Sequence, residues 1–113
     1  MPVRHEVNEK DGIVFFELTG YLTGHADSYE FLDDAKERIA GGAKSLIVDL
    51  SGVEKVNSSG IGVLAAVISS ATNAGAAVRF ARVPDKVWNI MCIVGLSRVV
   101  KNFETVEDAV ADL

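Results

Sequence analysis

The 113-residue sequence has a single cysteine, which excludes an internal disulfide. That residue, Cys92, lies in the apolar stretch Asn89–Leu96 and is expected to be a buried, unreactive thiol. Long apolar runs are also missing. The longest, Ile61 to Ile68, stops at Ser69 and Ser70, short of the roughly 18 residues a membrane helix needs. The opening residues, MPVRHEVNEK, contain no apolar core of a secretory signal, so the expected compartment is the cytoplasm. Basic residues are few as well, with 11 Lys and Arg against 16 Asp and Glu and a net charge of −5. A chain with no basic cluster has little to neutralise nucleic-acid phosphates, which argues against direct DNA or RNA binding.

The usual machinery of catalysis is equally sparse. His5 and His25 fall in different elements, and neither a CxxC nor an HExxH spacing occurs, so no metal site is expected. There is no GxSxG elbow. Gly60-Ile61-Gly62 lacks the third glycine of a dinucleotide loop, and no Gly-Lys-Ser or Gly-Lys-Thr follows it. The expectation is a protein that is not an enzyme and uses no cofactor.

What is present is ample apolar material, 49% of the residues, in alternating strand and helix patterns. His5–Asn8 and Ile13–Leu18 read as strands joined by the hairpin dipeptide Asp11-Gly12, with a loop after them marked by Gly20 and Gly24. Asp27 with Glu30 has the spacing of a reciprocal helix cap, followed by Phe31, Leu32, Ala35 and Ile39 on one face and closed by Gly41-Gly42. Ser45–Leu50 suits a strand buried on both faces. A loop then leads to a helix from about Ser58 to Asn73 with Ile61, Leu64, Ala65, Ile68 and either Ala71 or Thr72 inward. Ala76–Ala81 is a strand, and Pro84 opens a helix burying Val87, Trp88, Met91 and Val94. A strand at Val99–Phe103 and a helix from Thr105, with Ala109, Val110 and Leu113 inward, complete a β-β-α-β-α-β-α-β-α order. The implied fold is one α/β domain over residues 1–113, a mixed sheet flanked by about four helices.

One segment stands apart, Asp49–Leu64, DLSGVEKVNSSGIGVL. It joins a buried strand to an apolar-faced helix through a loop with Ser51, Ser58 and Ser59. Asn57 or Ser58 is suited to cap that helix. Gly60 and Gly62 lie early in the helix, where each weakens it by roughly 1 kcal/mol against alanine, so the backbone there is expected to approach something closely. An ordinary capped helix start packed with small residues accounts for the same residue types. A switch site uses the same geometry, because a helix N-terminus favours negative charge and a phosphate on Ser58 would not melt it.

With those residues in view, the chain resembles the STAS family, whose bacterial members include anti-sigma factor antagonists. The matching pattern is Asp49-Leu50-Ser51 followed by Asn57-Ser58-Ser59-Gly60-Ile61-Gly62-Val63-Leu64, with Leu18-Thr19-Gly20-Tyr21-Leu22 upstream as a weaker feature. The resemblance implies a STAS fold and a partner switch. The unphosphorylated form would bind an anti-sigma factor that is also a GHKL-type serine kinase and so free the sigma factor. Phosphorylation at Ser58 would abolish binding, and a phosphatase would restore it; no small-molecule substrate is implied. The partner surface implied is Asn57, Ser58, Ser59, Gly60, Ile61 and Gly62, with Thr23 and His25 in the facing loop. Two positions depart from the pattern: Asn57 stands where the family usually has Asp, and Thr23 where an acidic residue often follows. They favour the alternative of a STAS module in a stressosome-like scaffold or another non-sigma assembly. Ser59 and Ser51 are the other hydroxyls of the motif.

Overall fold

Asp11 and Gly12 both take positive φ, 55° and 80°, closing a two-residue turn between β1 (Arg4–Lys10) and β2 (Ile13–Leu22). The coordinates are a computed structural model that describes residues 1–113. After the hairpin come α1 (Ala26–Ala40), β3 (Ser45–Val56), α2 (Ser58–Asn73), β4 (Ala77–Ala81) and α3 (Asp85–Ile93). A 3₁₀ turn (Leu96–Arg98), β5 (Asn102–Phe103) and α4 (Val106–Ala111) follow. The five strands lie in sequence order; β1 runs antiparallel to β2 and every later pair is parallel. This is the mixed α/β sheet with four helices that the alternating pattern implies.

Strand alternation divides the apolar residues between the two faces of the sheet. Phe16, Leu18, Leu46, Val48 and Leu50 join the main core with Phe31 and Ala35 of α1, Leu64 and Val67 of α2, and Val87 and Met91 of α3. Ile47 points the other way, into a small cluster with Ala81 and Ala109 of α4. The central strand β3 is therefore buried on both faces from Leu46 to Leu50. Phe16 and Phe31 meet edge to face at 5.2 Å, which adds to the burial energy of two large rings.

Several expectations need correction. The Asp27–Glu30 cap does not form. Instead the buried Ser28 hydroxyl accepts from the Gly24 N–H at 3.1 Å, and the Ser28 N–H donates to the His25 carbonyl. Both Thr19–Leu22 and Ser51–Val56, read as loops because polar residues and glycines interrupt them, are strand; they pair with each other. The last strand shrinks to Asn102–Phe103, preceded by the 3₁₀ turn, with Val99 exposed. Val94 lies beyond the last turn of α3 and is exposed, Trp88 is half-buried, and Leu113 is exposed past the end of α4. Cys92 is exposed, because α3 turns Val87 and Met91 to the core and Cys92 away from it.

Candidate functional site

β4 pairs with β3 only from Ser45 to Asp49, whereas β2 stays paired with β3 as far as Leu22↔Val56. The next residues, Thr23 and Asn57, thus leave the carboxyl ends of two parallel strands side by side. That end of an open α/β sheet is where such folds place their binding crevices. Asn57 uses both ends of its amide there. Its Oδ1 accepts from the Gly60 N–H at 2.9 Å, capping α2, and its Nδ2 donates to the Thr23 carbonyl at 3.0 Å. An aspartate could make the first bond but has no proton for the second. The asparagine therefore replaces a negative charge with a tie between the two loops.

That division of labour is testable by thermal unfolding. Asn57→Ala loses cap and tie and should destabilise the protein by about 1–2 kcal/mol. Asn57→Asp keeps the cap and should fall between wild type and alanine. An aspartate variant as stable as wild type would show that the tie to Thr23 contributes nothing.

Because Asn57 takes the capping role, the hydroxyl of Ser58, the first residue of α2, is left free of it, and Ser58 is exposed. The first intrahelical bond runs from the Ile61 N–H to the Asn57 carbonyl, so the Ser58 and Ser59 amides precede the helical ladder and carry the positive end of its dipole. Ser59 is also exposed, but a Cβ on Gly24 would collide with its side chain, so the Thr23–His25 loop sits close against it.

The two glycines of the motif differ in kind. A Cβ on Gly60 would run into the Leu22 carbonyl and come within 2.9 Å of Val56 Cγ2. Only glycine lets α2 start this close to the strand ends. Gly62 has nothing within 4 Å of the same position. Of the expected surface residues, Asn57, Ser58, Ser59, Gly62 and His25 are exposed and Thr23 is half-buried; Gly60 and Ile61 lie beneath the surface. Ser51 is exposed, with its N–H held by the Asp49 carboxylate at 2.9 Å.

The STAS-domain family model matches residues 4–109. The chain belongs to the STAS family. Among solved structures, it is similar to a candidate anti-sigma factor antagonist from Thermotoga maritima, with 20% identity, TM-score 0.87, and 96% of this chain and 92% of that one covered. RsbS of Moorella thermoacetica, in a serine-to-glutamate variant, matches at 18% identity and TM-score 0.84, covering 96% and 93%. The Bacillus cell-fate determinant SpoIIAA in its phosphorylated form matches at 15% identity and TM-score 0.78, covering 96% and 98%. At these identities the likeness establishes the fold. No curated protein matches the sequence significantly.

In this STAS domain, the motif residue Asp49 has a partner 33 residues away that the motif does not reveal. Asp49 is buried, and its Oδ2 pairs with the Arg82 guanidinium at 2.6 and 3.1 Å. Arg82 adopts φ 53°, an uncommon conformation for a residue with a Cβ. The Asp49 hydrogen bond, and then its charge, raise the Arg82 pKa above the ordinary arginine value. Stabilisation from a raised pKa is complete below the unfolded value and fades only above the folded one, so the Arg82 charge is retained throughout the neutral range. The pair lies where β3 leaves β4, whose last paired residues are Asp49 and Ala81.

Helix α3, whose apolar pattern points only to the core, also borders the site. Lys86, Val87 and Ile90 form one wall of a groove of about 290 Å³, and Thr23, Val56 and Asn57 form the other. No local signal reveals this, since the residues of the two walls lie roughly thirty to seventy positions apart in the chain. No helix of the chain is long and apolar enough to cross a membrane.

Proposed function

We propose that this STAS protein is an anti-sigma factor antagonist acting as a phosphorylation-controlled partner switch, with Ser58 as the phosphate acceptor. The observation that carries the proposal is the exposed Ser58 at the first position of α2, relieved of capping by Asn57. In the unphosphorylated state, the strand-end surface of Asn57, Ser58, Ser59 and Gly62, with Thr23 and His25, binds an anti-sigma factor that is also a GHKL-type serine kinase, and the sigma factor is released. Phosphorylation adds about −1.5 to −2 charges at the centre of that contact. The helix end accommodates such a charge, while a close-packed interface must desolvate it. A phosphatase resets the switch. The similarity to phosphorylated SpoIIAA and to a serine-to-glutamate RsbS supports a fold that keeps its shape when charge is added.

Incubation with a candidate GHKL-type kinase and ATP, followed by intact-mass measurement, should show one added phosphate on wild type and none on Ser58→Ala. Uptake by Ser58→Ala at the wild-type rate would move the acceptor to another hydroxyl and defeat the assignment.

A further inference from the structure

The end of α3 carries a surface that neither the core nor the switch explains. Ile93 is 83% exposed, and Val94, at 54%, follows it directly; Val99, beyond the 3₁₀ turn, is 65% exposed. Lys86, Ile90 and Ile93 recur at i, i+4 and i+7, so they share one face of α3, beside the face that buries Val87 and Met91. Lys86 and Ile90 line the groove against Asn57 and Thr23, and that places the Ile93 stripe in continuity with the strand-end surface. The 3₁₀ turn packs on the end of α3 and adds Arg98 and Val99.

Charge is segregated in the same region. From Lys86 to Phe103 there is no Asp or Glu, while Lys86, Arg98 and Lys101 are present, in a chain of net charge −5. Lys55 lies across the groove, packed over the Tyr21 ring at 5.0 Å. The carboxylates nearby are Glu54 on the groove rim, Asp85 at the start of α3, and Asp112, which is bound to Arg79 at 2.7 Å.

We propose that this face of α3 is a second docking surface, which takes an acidic amphipathic segment of a protein partner. An apolar side chain of the segment covers Ile90 and Ile93, and its carboxylates meet Lys86, Lys55 and Arg98. An apolar stripe edged by Lys55, Lys86 and Arg98, against the two carboxylates Glu54 and Asp85, favours a ligand of net negative charge, since charges across an interface set which partners are accepted. The proposal relies on the partner-switch reading only for the identity of the protein that brings the segment; the docking chemistry stands on α3 itself.

The test titrates isotope-labelled protein with a synthetic Leu/Glu amphipathic peptide and follows the backbone amide signals. Saturable shifts are expected along Lys86–Val94 and at Asn57, with the matching Leu/Lys peptide at least about tenfold weaker. Ile93→Ser should weaken the Leu/Glu peptide about tenfold with an unchanged melting temperature, because the side chain is already in solvent. Absence of saturable binding, equal affinity for the two peptides, or undiminished binding by Ile93→Ser would overturn the proposal. So would partition onto anionic vesicles through Ile93 in preference to the peptide, which would make the face a membrane contact. None of these results bears on phosphate uptake at Ser58, so the two readings fail separately.

Discussion

Gly60→Ala should lower the stability of the protein by about 2–3 kcal/mol, although alanine is the better helix former. The propensity gain of about 1 kcal/mol is present in any helix interior. Here it is outweighed because the new methyl enters the Leu22 carbonyl and presses on Val56. Neither can retreat: Leu22 and Val56 are the last paired residues of β2 and β3, and Leu22 is fully buried. The start of α2 must therefore move, at the typical cost of overpacking a well-packed interior. A fall of roughly 10 °C in melting temperature is expected for a domain of this size. Gly62→Ala is the internal control. With nothing within 4 Å, it should gain up to about 1 kcal/mol from propensity alone. If both alanine variants shift stability in the same direction, the close approach of α2 to the strand ends is not what requires glycine at position 60. A stabilised Gly62→Ala that binds its partner poorly would show that this glycine serves the interface.

The second large effect concerns binding. Ser58→Asp should fold like wild type, within about 0.5 kcal/mol, because a carboxylate at the first turn of α2 meets unpaired amides and a favourable dipole. Its affinity for the proposed anti-sigma partner should nevertheless fall by about a hundredfold, since a charge buried in an interface without a counter-charge loses several kcal/mol of hydration. Phosphate, with about twice the charge, should weaken binding further. Ser58→Ala should bind as wild type and resist switching. Calorimetry on the three proteins decides the matter: equal affinity for Ser58→Asp and wild type would rule out the electrostatic mechanism. The neutral Asn57 sharpens the contrast, because the proposed switch would add its charge beside an uncharged residue rather than beside a carboxylate.

Much of the architecture follows from local chemistry and was legible without coordinates. Asp11-Gly12 specifies its turn through two left-handed residues, Ser45–Leu50 reads as a doubly covered strand, and Asn57-Ser58 marks the start of α2, with the structure assigning the cap to Asn57. These are short-range effects, carried by backbone preference, side-chain period and a cap three residues from its donor. The motif Asn57–Gly62 was likewise visible as a pattern of residue types, and with it the choice of Ser58.

Other features depended on what the chain meets far along its length. Whether Thr19–Leu22 and Ser51–Val56 are loop or strand is decided only by their pairing with each other, and that pairing brings Thr23 beside Asn57. The two glycines of α2 look alike in sequence; the Leu22 carbonyl, some forty residues earlier, tells them apart. Cys92 and Ile93 sit in an apolar run that reads as core, yet a short helix can turn only one stripe inward, and Val87 and Met91 occupy it. Local chemistry sets most of the elements, their order and the motif that carries the Ser58 hydroxyl. The tertiary structure decided which surfaces remain open around that hydroxyl, because exposure depends on neighbours that local sequence does not contain.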